Sequence, residues 1–487
     1  MTNSTIKQYL PWLVASALFM EQLDATIVNT AIPSIAASLQ VTPLSLKAVV
    51  SSYILALAVC IPVSGWIADR FGTRRVFFIA IVIFTTASVL CGLAVNPTML
   101  VAARILQGIG GALMMPVGRL AIIRTFPKSE LLGAMNFVII PALIGPLLGP
   151  TVGGFIVHWL SWREIFFVNV PFGLIALFMV HRYMPDYRSS EPRPLDVVGL
   201  LLYGSGIALL SWLLEVFGAH GLAPLTAALV LGLALALLAA YGWHASGHAH
   251  PLLRLTLFRI RTFRVSVLGG FVTRLGVGGL PFLLPLLYQL GLGFPVWKSG
   301  LLMMPAALAA MSMKLISMRV LKRFGYRQVL IVNTLLIGVT IGLFALVGAE
   351  TPVALIVAIS LMQGFFNSLQ FASMNSLAYA DVTERDSSMA STISSSLQQL
   401  SMSFGLAAGS LITGWFLGDV PQTDRALVST ALQHAFLTLS VLTLLSSLTF
   451  WRLHPDDGDS ISRGKVTGVV KAVKAVKAVK ADSAASS

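Results

Sequence analysis

The chain has 487 residues, of which 56% are hydrophobic and 11% charged, with a mean hydropathy of +0.85; a soluble domain carries roughly 45–50% apolar and about 25% charged residues. That balance excludes a water-soluble globular protein and implies an integral membrane protein. The formal net charge of +14 does not argue for a nucleic-acid partner, because the lysines and arginines fall in short connections between apolar runs, where they act as topology signals.

A helix needs roughly 20 apolar residues to cross the hydrocarbon core, and about fourteen segments come near that length. They run approximately over 10–31, 46–64, 75–95, 98–118, 132–157, 164–183, 195–217, 222–243, 263–287, 299–320, 329–348, 353–375, 391–415 and 434–454. An even count places both termini on one side. About 26 lysines and arginines lie in the terminal and even-to-odd connections, about four in the opposite ones (Lys47, Arg163, Lys298, Arg425) and about three inside spans (Arg104, Arg274, Lys314), which predicts that both ends are cytoplasmic. The N-terminus carries Lys7 and then an apolar run broken by Glu21 and Asp24, without a small-residue cleavage site, so the first helix is expected to be retained.

That first span holds the least expected residues of the chain. A carboxylate at membrane depth costs roughly 2.5 kcal/mol or more and is a functional-site hypothesis by default. Glu21 and Asp24 stand three apart, so on a helix they share a face about 5 Å apart along the axis. Two acids this close repel when both are charged, an arrangement suited to a group that loads and releases a proton. The alternative is a buried polar pair satisfied by neighbouring helices.

The connection after the second span reads Gly65-Trp66-Ile67-Ala68-Asp69-Arg70-Phe71-Gly72-Thr73-Arg74-Arg75. Asp69 sits at a helix–loop junction beside Arg70, Arg74 and Arg75, where it is expected to cap a neighbouring helix and be held by arginines. Gly65 and Gly72 permit close approach and a tight turn. The bland reading of the arginines as a positive-inside anchor leaves Asp69 and the glycines without a role. A degenerate copy, Lys322-Arg323-Phe324-Gly325-Tyr326-Arg327, follows 253 positions later, and Gln107-Gly108 has a counterpart in Gln363-Gly364 at an offset of 256. Two matches at nearly one offset favour duplication, a common plan in transporters. The expected units are an N-terminal six-helix bundle over 1–190, an inserted pair of transmembrane helices over 191–250, a C-terminal six-helix bundle over 251–455 and a basic tail over 456–487.

In the fourth span Arg104 lies about as deep as Asp24, roughly 10 Å below the same surface at 1.5 Å per residue, so the two are placed for an ion pair. The fifth span is crowded with Pro141, Gly145, Pro146, Gly149, Pro150, Gly153 and Gly154. Such breakers are tolerated in lipid only where neighbours re-satisfy the backbone, and small residues four apart let two helices meet closely. The second half has no buried acid within its spans, whereas Arg274 lies near mid-depth of the ninth span and Lys314 in the tenth. Lys314 is near enough to an end to snorkel. Arg274 is not, so it is expected to line a cavity, pair with Glu21 or Asp24, or meet an anionic cargo. Gln107, Asn29, Asn367 and Gln370 are taken as neutral groups of the same cavity. His244, His248 and His250 lack carboxylate or cysteine spacing, and Cys60 and Cys91 form no framework, so no metal is expected. No Walker-type loop is present for ATP.

These motifs carry a resemblance. The Gly65–Arg75 connection matches the G-x-L-a-D-r-x-G-r-k signature of the major facilitator superfamily, and the span-four run Leu100 to Gly111 its l-x-x-x-R-x-x-q-G-x-g pattern. Gly145-Pro146-Leu147-Leu148-Gly149-Pro150-Thr151-Val152-Gly153-Gly154 resembles the antiporter motif, with Asn136 in place of its leading glycine. The Leu23 to Pro33 stretch and Trp162 to Pro171 are similar to segments of the fourteen-span drug:proton antiporter family, the EmrB and QacA type. The resemblance implies an all-α membrane fold of two six-helix bundles plus two inserted helices, with Asp69 part of a clamp on the inner face. It implies a transporter of the inner membrane, not an enzyme, that exports small molecules in exchange for protons. The proton gradient replaces a cofactor, and its partners are cargo, protons and the bilayer, with a periplasmic adaptor left open. Two alternatives stay beside it: an exporter of an anionic metabolite or metal chelate, and a non-transporting membrane sensor.

Overall fold

The computed structural model describes residues 3–189, 194–217, 223–383, 386–418 and 424–462; the basic tail expected at the C-terminus lies almost wholly outside them. Among the described residues the regular structure is entirely helical. Fourteen helical passages follow one another: α1 (Asn3–Leu39), α2 (Lys47–Phe71), α3 (Thr73–Gly92), α4 (Pro97–Thr125), α5 (Lys128–Trp159), α6 (Glu164–Tyr183), α7 (Val197–Phe217), α8 (Pro224–Gly247), α9 (Arg261–Gly291), α10 (Val296–Phe324), α11 (Tyr326–Phe344), α12 (Val353–Ala378), α13 (Ser387–Leu417) and α14 (Arg425–Arg452). Thirteen are long and apolar enough to cross a membrane. The other is α1, whose 37 residues reach about 55 Å at 1.5 Å each but whose hydropathy is lowered by the polar groups it carries. The protein is therefore a multi-pass integral membrane protein. An even number of crossings gives a terminal face, where Asn3 starts α1, and a distal face, where α1 ends at Leu39.

Local chemistry sets the helix ends. At the start of α4 the Asn96 side chain accepts from the Met99 N–H at 2.8 Å, with Pro97 in the first turn. Asp424 does the same for α14, accepting from Ala426 and Leu427 N–H; each cap satisfies donors that the helix itself leaves open. The α2–α3 and α10–α11 turns each rest on one glycine in the left-handed region, Gly72 at φ +93° and Gly325 at φ +77°. These are the glycines of the two sequence copies, so the duplication extends to backbone conformation. It extends to packing as well. A Cβ on Gly108 would lie 2.6 Å from the Tyr53 carbonyl oxygen, and one on Gly364 would lie 2.6 Å from Ala306 Cα, 253 positions after Tyr53. In both halves a span-four glycine lets its helix press on span two.

The apolar core is divided unevenly. One cluster is shared by both halves toward the distal face, joining Ile27, Ile35 and Phe166 to Phe282, Leu286 and Phe344. Toward the terminal face each half keeps its own, one around Phe77, Val117 and Val180 and another around Met313, Tyr326 and Phe450. A fourth cluster seats the inserted pair, α7 and α8, through Tyr203 and Tyr241 against Ala58 of α2 and Ile393 of α13. Polar contacts also join the halves: Thr151 donates to the Gly300 carbonyl at 3.2 Å and Gln289 to the Thr30 carbonyl at 2.9 Å toward the distal face, while Ser403 donates to the Ser51 carbonyl at 3.4 Å and Ser396 to the Ala58 carbonyl between α13 and α2.

The α5–α10 crossing permits this closure. A Cβ on Gly154 would lie 2.8 Å from the Val296 carbonyl oxygen, and one on Gly300 would lie 3.1 Å from Thr151 Cα. Only the absence of side chains lets these backbones touch. Gly300→Leu is therefore expected to force the crossing apart and cost about 1–3 kcal/mol of overpacking, read as a lower thermal unfolding midpoint in detergent, with Gly348→Leu, which meets open space, as the unaffected control.

Candidate functional site

Asp24 and Arg104 meet in the centre of the first six helices. Both are fully buried, and Arg104 Nη1 donates to Asp24 Oδ2 at 2.5 Å. The other carboxylate oxygen takes two further donors, Gln107 Nε2 at 2.9 Å and Asn169 Nδ2 at 2.7 Å. Gln107 turns its own oxygen to Arg104 Nη1 at 2.8 Å, and Asn169 also donates to Ser88 Oγ, which in turn donates to the Phe166 carbonyl. Arg104 Nε donates to the Val49 carbonyl at 3.2 Å, while its guanidinium carbon lies 4.2 Å from the centre of the Tyr53 ring, a face that attracts a cation. Asp24 is thus held by three donors from α4 and α6, and the guanidinium by α1, α2 and its own helix.

The spacing on α4 explains part of this. Arg104 and Gln107 are three apart, so they project from neighbouring positions of one face, and Gly108 and Gly111 beside them let α4 approach α2. Glu21, one turn from Asp24 toward the terminal face, is placed differently. It is buried and has no ion-pair partner among the described residues, and one carboxyl oxygen lacks a hydrogen bond. It shares a small space with Tyr53, whose hydroxyl is likewise without a partner; a Cβ on Gly111 would lie 3.2 Å from that hydroxyl and 3.7 Å from Glu21 Cγ.

The span-five motif packs along α1. A Cβ on Gly145 would lie 2.7 Å from Gln22 Cβ and one on Gly153 would lie 2.6 Å from the Ile27 carbonyl oxygen, with Gly149 against Thr26 between them. Thr30 donates to the Pro150 carbonyl at 3.3 Å, and Pro146 and Pro150 continue within an unbroken α5. The motif therefore binds the acid-bearing helix on one side and, through Gly154, the second half on the other.

At the terminal face the expected partners change. Asp69 is bonded not by Arg70, Arg74 or Arg75 but by Arg124 at the end of α4, 2.8 Å away, with both side chains about one-third exposed. The reason is reach: Arg70 and Arg75 point outward, and the Arg74 guanidinium is engaged by the His181 carbonyl. Gly72 sits under Asp186 and Arg188, as its turn requires. Gly65 faces open space, so the close approach expected there is not made.

In the second half Arg274 is 5% exposed and has no carboxylate partner among the described residues. Its guanidinium carbon lies 4.8 Å from the Phe371 ring centre, Gln398 accepts from it at a long 3.5 Å, and Nε is unpaired. It borders a small recess with Ser266, Asn375, Ser394 and Gln398. Of its three expected settings the pairing with Asp24 is not made, because Asp24 is already taken by Arg104.

The neutral groups need correcting. Gln107 belongs to the ion-pair network, and Gln370 is spent on Asn333 and Thr334 of α11 at 2.9 and 2.7 Å; neither is a cavity group, because each is consumed by a helix–helix contact. Asn29 and Asn367 each keep a buried oxygen without a partner, but Asn29 is only 4% exposed. The side chain of Lys314 lies outside the described residues. Sequence reasoning assigned no role to Asn169 or Arg124. A lone asparagine at the start of an apolar segment was the available signal for the first.

Comparison with known proteins gives the frame for these contacts. The family profile described as Major Facilitator Superfamily matches residues 14–406 and 267–484. A protein of Serratia proteamaculans (strain 568) named MdtD and assigned to multidrug resistance is 40% identical over 449 residues, 92% of this chain and 94% of the relative. Its namesake in Yersinia enterocolitica serotype O:8 / biotype 1B is 39% identical over 447 residues, 92% and 95% of the two chains. Among solved structures, a single-substitution variant of the nucleoside transporter NupG superposes with a TM-score of 0.65 at 12% identity over 91% of this chain and 99% of that one. The D-xylose-proton symporter does so with 0.65 at 15% over 92% and 98%. At such identities the likeness is one of fold.

Breaking a buried pair on one side strands the other charge, typically at 3–5 kcal/mol. Arg104→Leu should therefore destabilise the protein by about that amount, and the double variant Arg104→Leu, Asp24→Asn should recover a large part. Thermal unfolding of the four members of this cycle measures it, and simple additivity would contradict the pairing.

Proposed function

Because this chain belongs to the major facilitator superfamily, and is thus a membrane transporter rather than an enzyme, we propose that it is a proton-coupled antiporter that exports small molecules by alternating access. The observation that carries this reading is the Asp24–Arg104 pair with its Gln107 and Asn169 donors. Opposite charge beside a carboxylate favours its charged form, and removing that charge in a buried site favours the neutral one. A movement that parts α1 from α4 therefore takes up a proton, and the return movement expels it. Glu21, buried without a cation, is the natural neighbour to share that proton, since an unpaired carboxylate is costly to bury charged.

With the terminal face assigned as cytoplasmic and the chain in an inner membrane, the arrangement closed at the distal face is the inward-facing one. In it Asp24 is paired and unprotonated, ready for cargo from the cytoplasm. The residues 1–190 and 251–455 are taken as the two rocking bodies, with 191–250 riding on their seam. Outward opening breaks the α5–α10 crossing and lets Asp24 meet protons from outside. Asp69 is the inner-face group free to change partners, because its Arg124 contact is a half-exposed pair worth about 1 kcal/mol or less. Relatives assigned to multidrug resistance support lipophilic drugs as cargo, with no cofactor beyond the gradient. Reconstituted Asp24→Asn protein is expected to bind cargo but to lose uphill transport driven by an imposed pH gradient; full retention of that transport contradicts the proposal.

A second reading rests on Arg274, a buried cation at a recess without a counter-ion. Such a group repels lipophilic cations and attracts carboxylates or their metal chelates. Proteoliposome flux against matched panels of lipophilic cations, neutral drugs and organic anions separates the two. Arg274→Ala should abolish flux of anions only if they are the cargo, and should leave cation flux unchanged or raised if drugs are.

A further inference from the structure

The inserted pair carries a cluster at its terminal-face end that transport does not use. Asp196 stands immediately before α7, and its carboxylate is fixed by the backbone: Gly199 N–H donates to Oδ1 at 2.7 Å and Leu252 N–H to Oδ2 at 3.0 Å. His244 on the last turn of α8 brings Nε2 to 2.8 Å from Oδ1. His248 follows one turn later, its ring stacked on that of His244 with centroids 4.9 Å apart. One ligand atom from each of the three lies within 4.8 Å of the others. Asp196 is buried, His244 partly exposed and His248 exposed, so the cluster is closed toward the protein and open toward water.

We propose that Asp196, His244 and His248 form a binding site for a divalent transition-metal ion of the zinc class. Two imidazoles and a carboxylate are the donors such ions take, and three protein ligands leave the fourth position of a tetrahedron for water. His248 follows the last helical residue, Gly247, with its backbone extended, and the stacking of its ring on that of His244 keeps the two rings on one side. Ligand bonds of about 2.0–2.2 Å require ligand atoms roughly 3.3 Å apart, a change of up to about 1.5 Å from the present spacing that the exposed His248 ring can largely supply. The carboxylate needs no rearrangement, since backbone donors already aim it, the role that outer contacts play at metal centres. A bound ion ties both ends of the inserted pair to the segment at Leu252 that leads into the second half. The histidine spacing alone did not reveal this, because the acid comes from the other helix, 48 residues earlier.

The test uses full-length protein purified through a tag without histidine and stripped by chelator, titrated with Zn²⁺ against a chromophoric competitor and with Co²⁺ for its visible d–d bands. The site predicts one tight Zn²⁺ per chain and a higher unfolding midpoint with Zn²⁺. His248→Ala, which leaves the Asp196–His244 contact in place, and His244→Ala should each weaken binding by at least about tenfold. His250→Ala should not. Absence of tight binding in the wild type, equal affinity in His248→Ala, or an equal loss in His250→Ala overturns the assignment.

Discussion

The structure is organised by one electrostatic constraint: the Asp24 carboxyl and the Arg104 guanidinium meet where charge is expensive. Taking a carboxylate and a guanidinium out of water costs several kcal/mol per ion, and their attraction offsets this only when the remaining donors and acceptors are also satisfied. Here every carboxylate oxygen is met, by Arg104, Gln107 and Asn169. The guanidinium is met by Val49, Gln107 and the Tyr53 ring, while its Nη2 has no hydrogen-bond partner. Five helices of the first half are fixed by this requirement, because moving any of them leaves a buried polar group unpaired.

In the proposed cycle that dependence makes the pair a switch rather than a brace. The glycines of α5 bring α1 against α5, and α5 against α10, at distances no side chain allows. In the proposed cycle a displacement at the distal crossing passes along α1 toward Asp24 through these contacts, of which Gly153 on the Ile27 carbonyl and Gly154 on the Val296 carbonyl are backbone to backbone. The core shared by both halves at the distal face is where the proposed rocking would find its fulcrum. The contrast with Asp69 and Arg124 is instructive: half-exposed and screened, that pair is cheap to break and suits a gate, whereas the Asp24 pair is costly to break and suits a coupling device.

Much of this was legible in the chain. Composition and span lengths pointed to an all-helical membrane fold, and equal depth permitted the Asp24–Arg104 pairing that the structure makes. The repeat, read from six residues around Gly72 and Gly325, reappears as two left-handed turns. What sequence did not give was partner choice. Asp69 had three nearby arginines and takes a fourth, because contact depends on where α4 ends rather than on proximity along the chain. Gln107 and Gln370 looked like cavity groups and serve helix contacts instead, since a polar side chain does not disclose which face of its helix is buried. Asn169 and Asp196 escaped for the same reason: each acts on a residue from a distant helix, and no spacing rule reaches that far.

The central claim is that the charge on Asp24 follows which face is open. Infrared difference spectroscopy of the carboxyl stretch reads it directly, comparing protein held closed at the distal face by a Thr151→Cys, Gly300→Cys disulfide with protein wedged open by Gly300→Trp, and using Asp24→Asn in each to assign the band. The account predicts an ionised Asp24 in the closed form and a protonated carboxyl band, lost in Asp24→Asn, in the wedged one. The same Asp24 signal in both forms would contradict it.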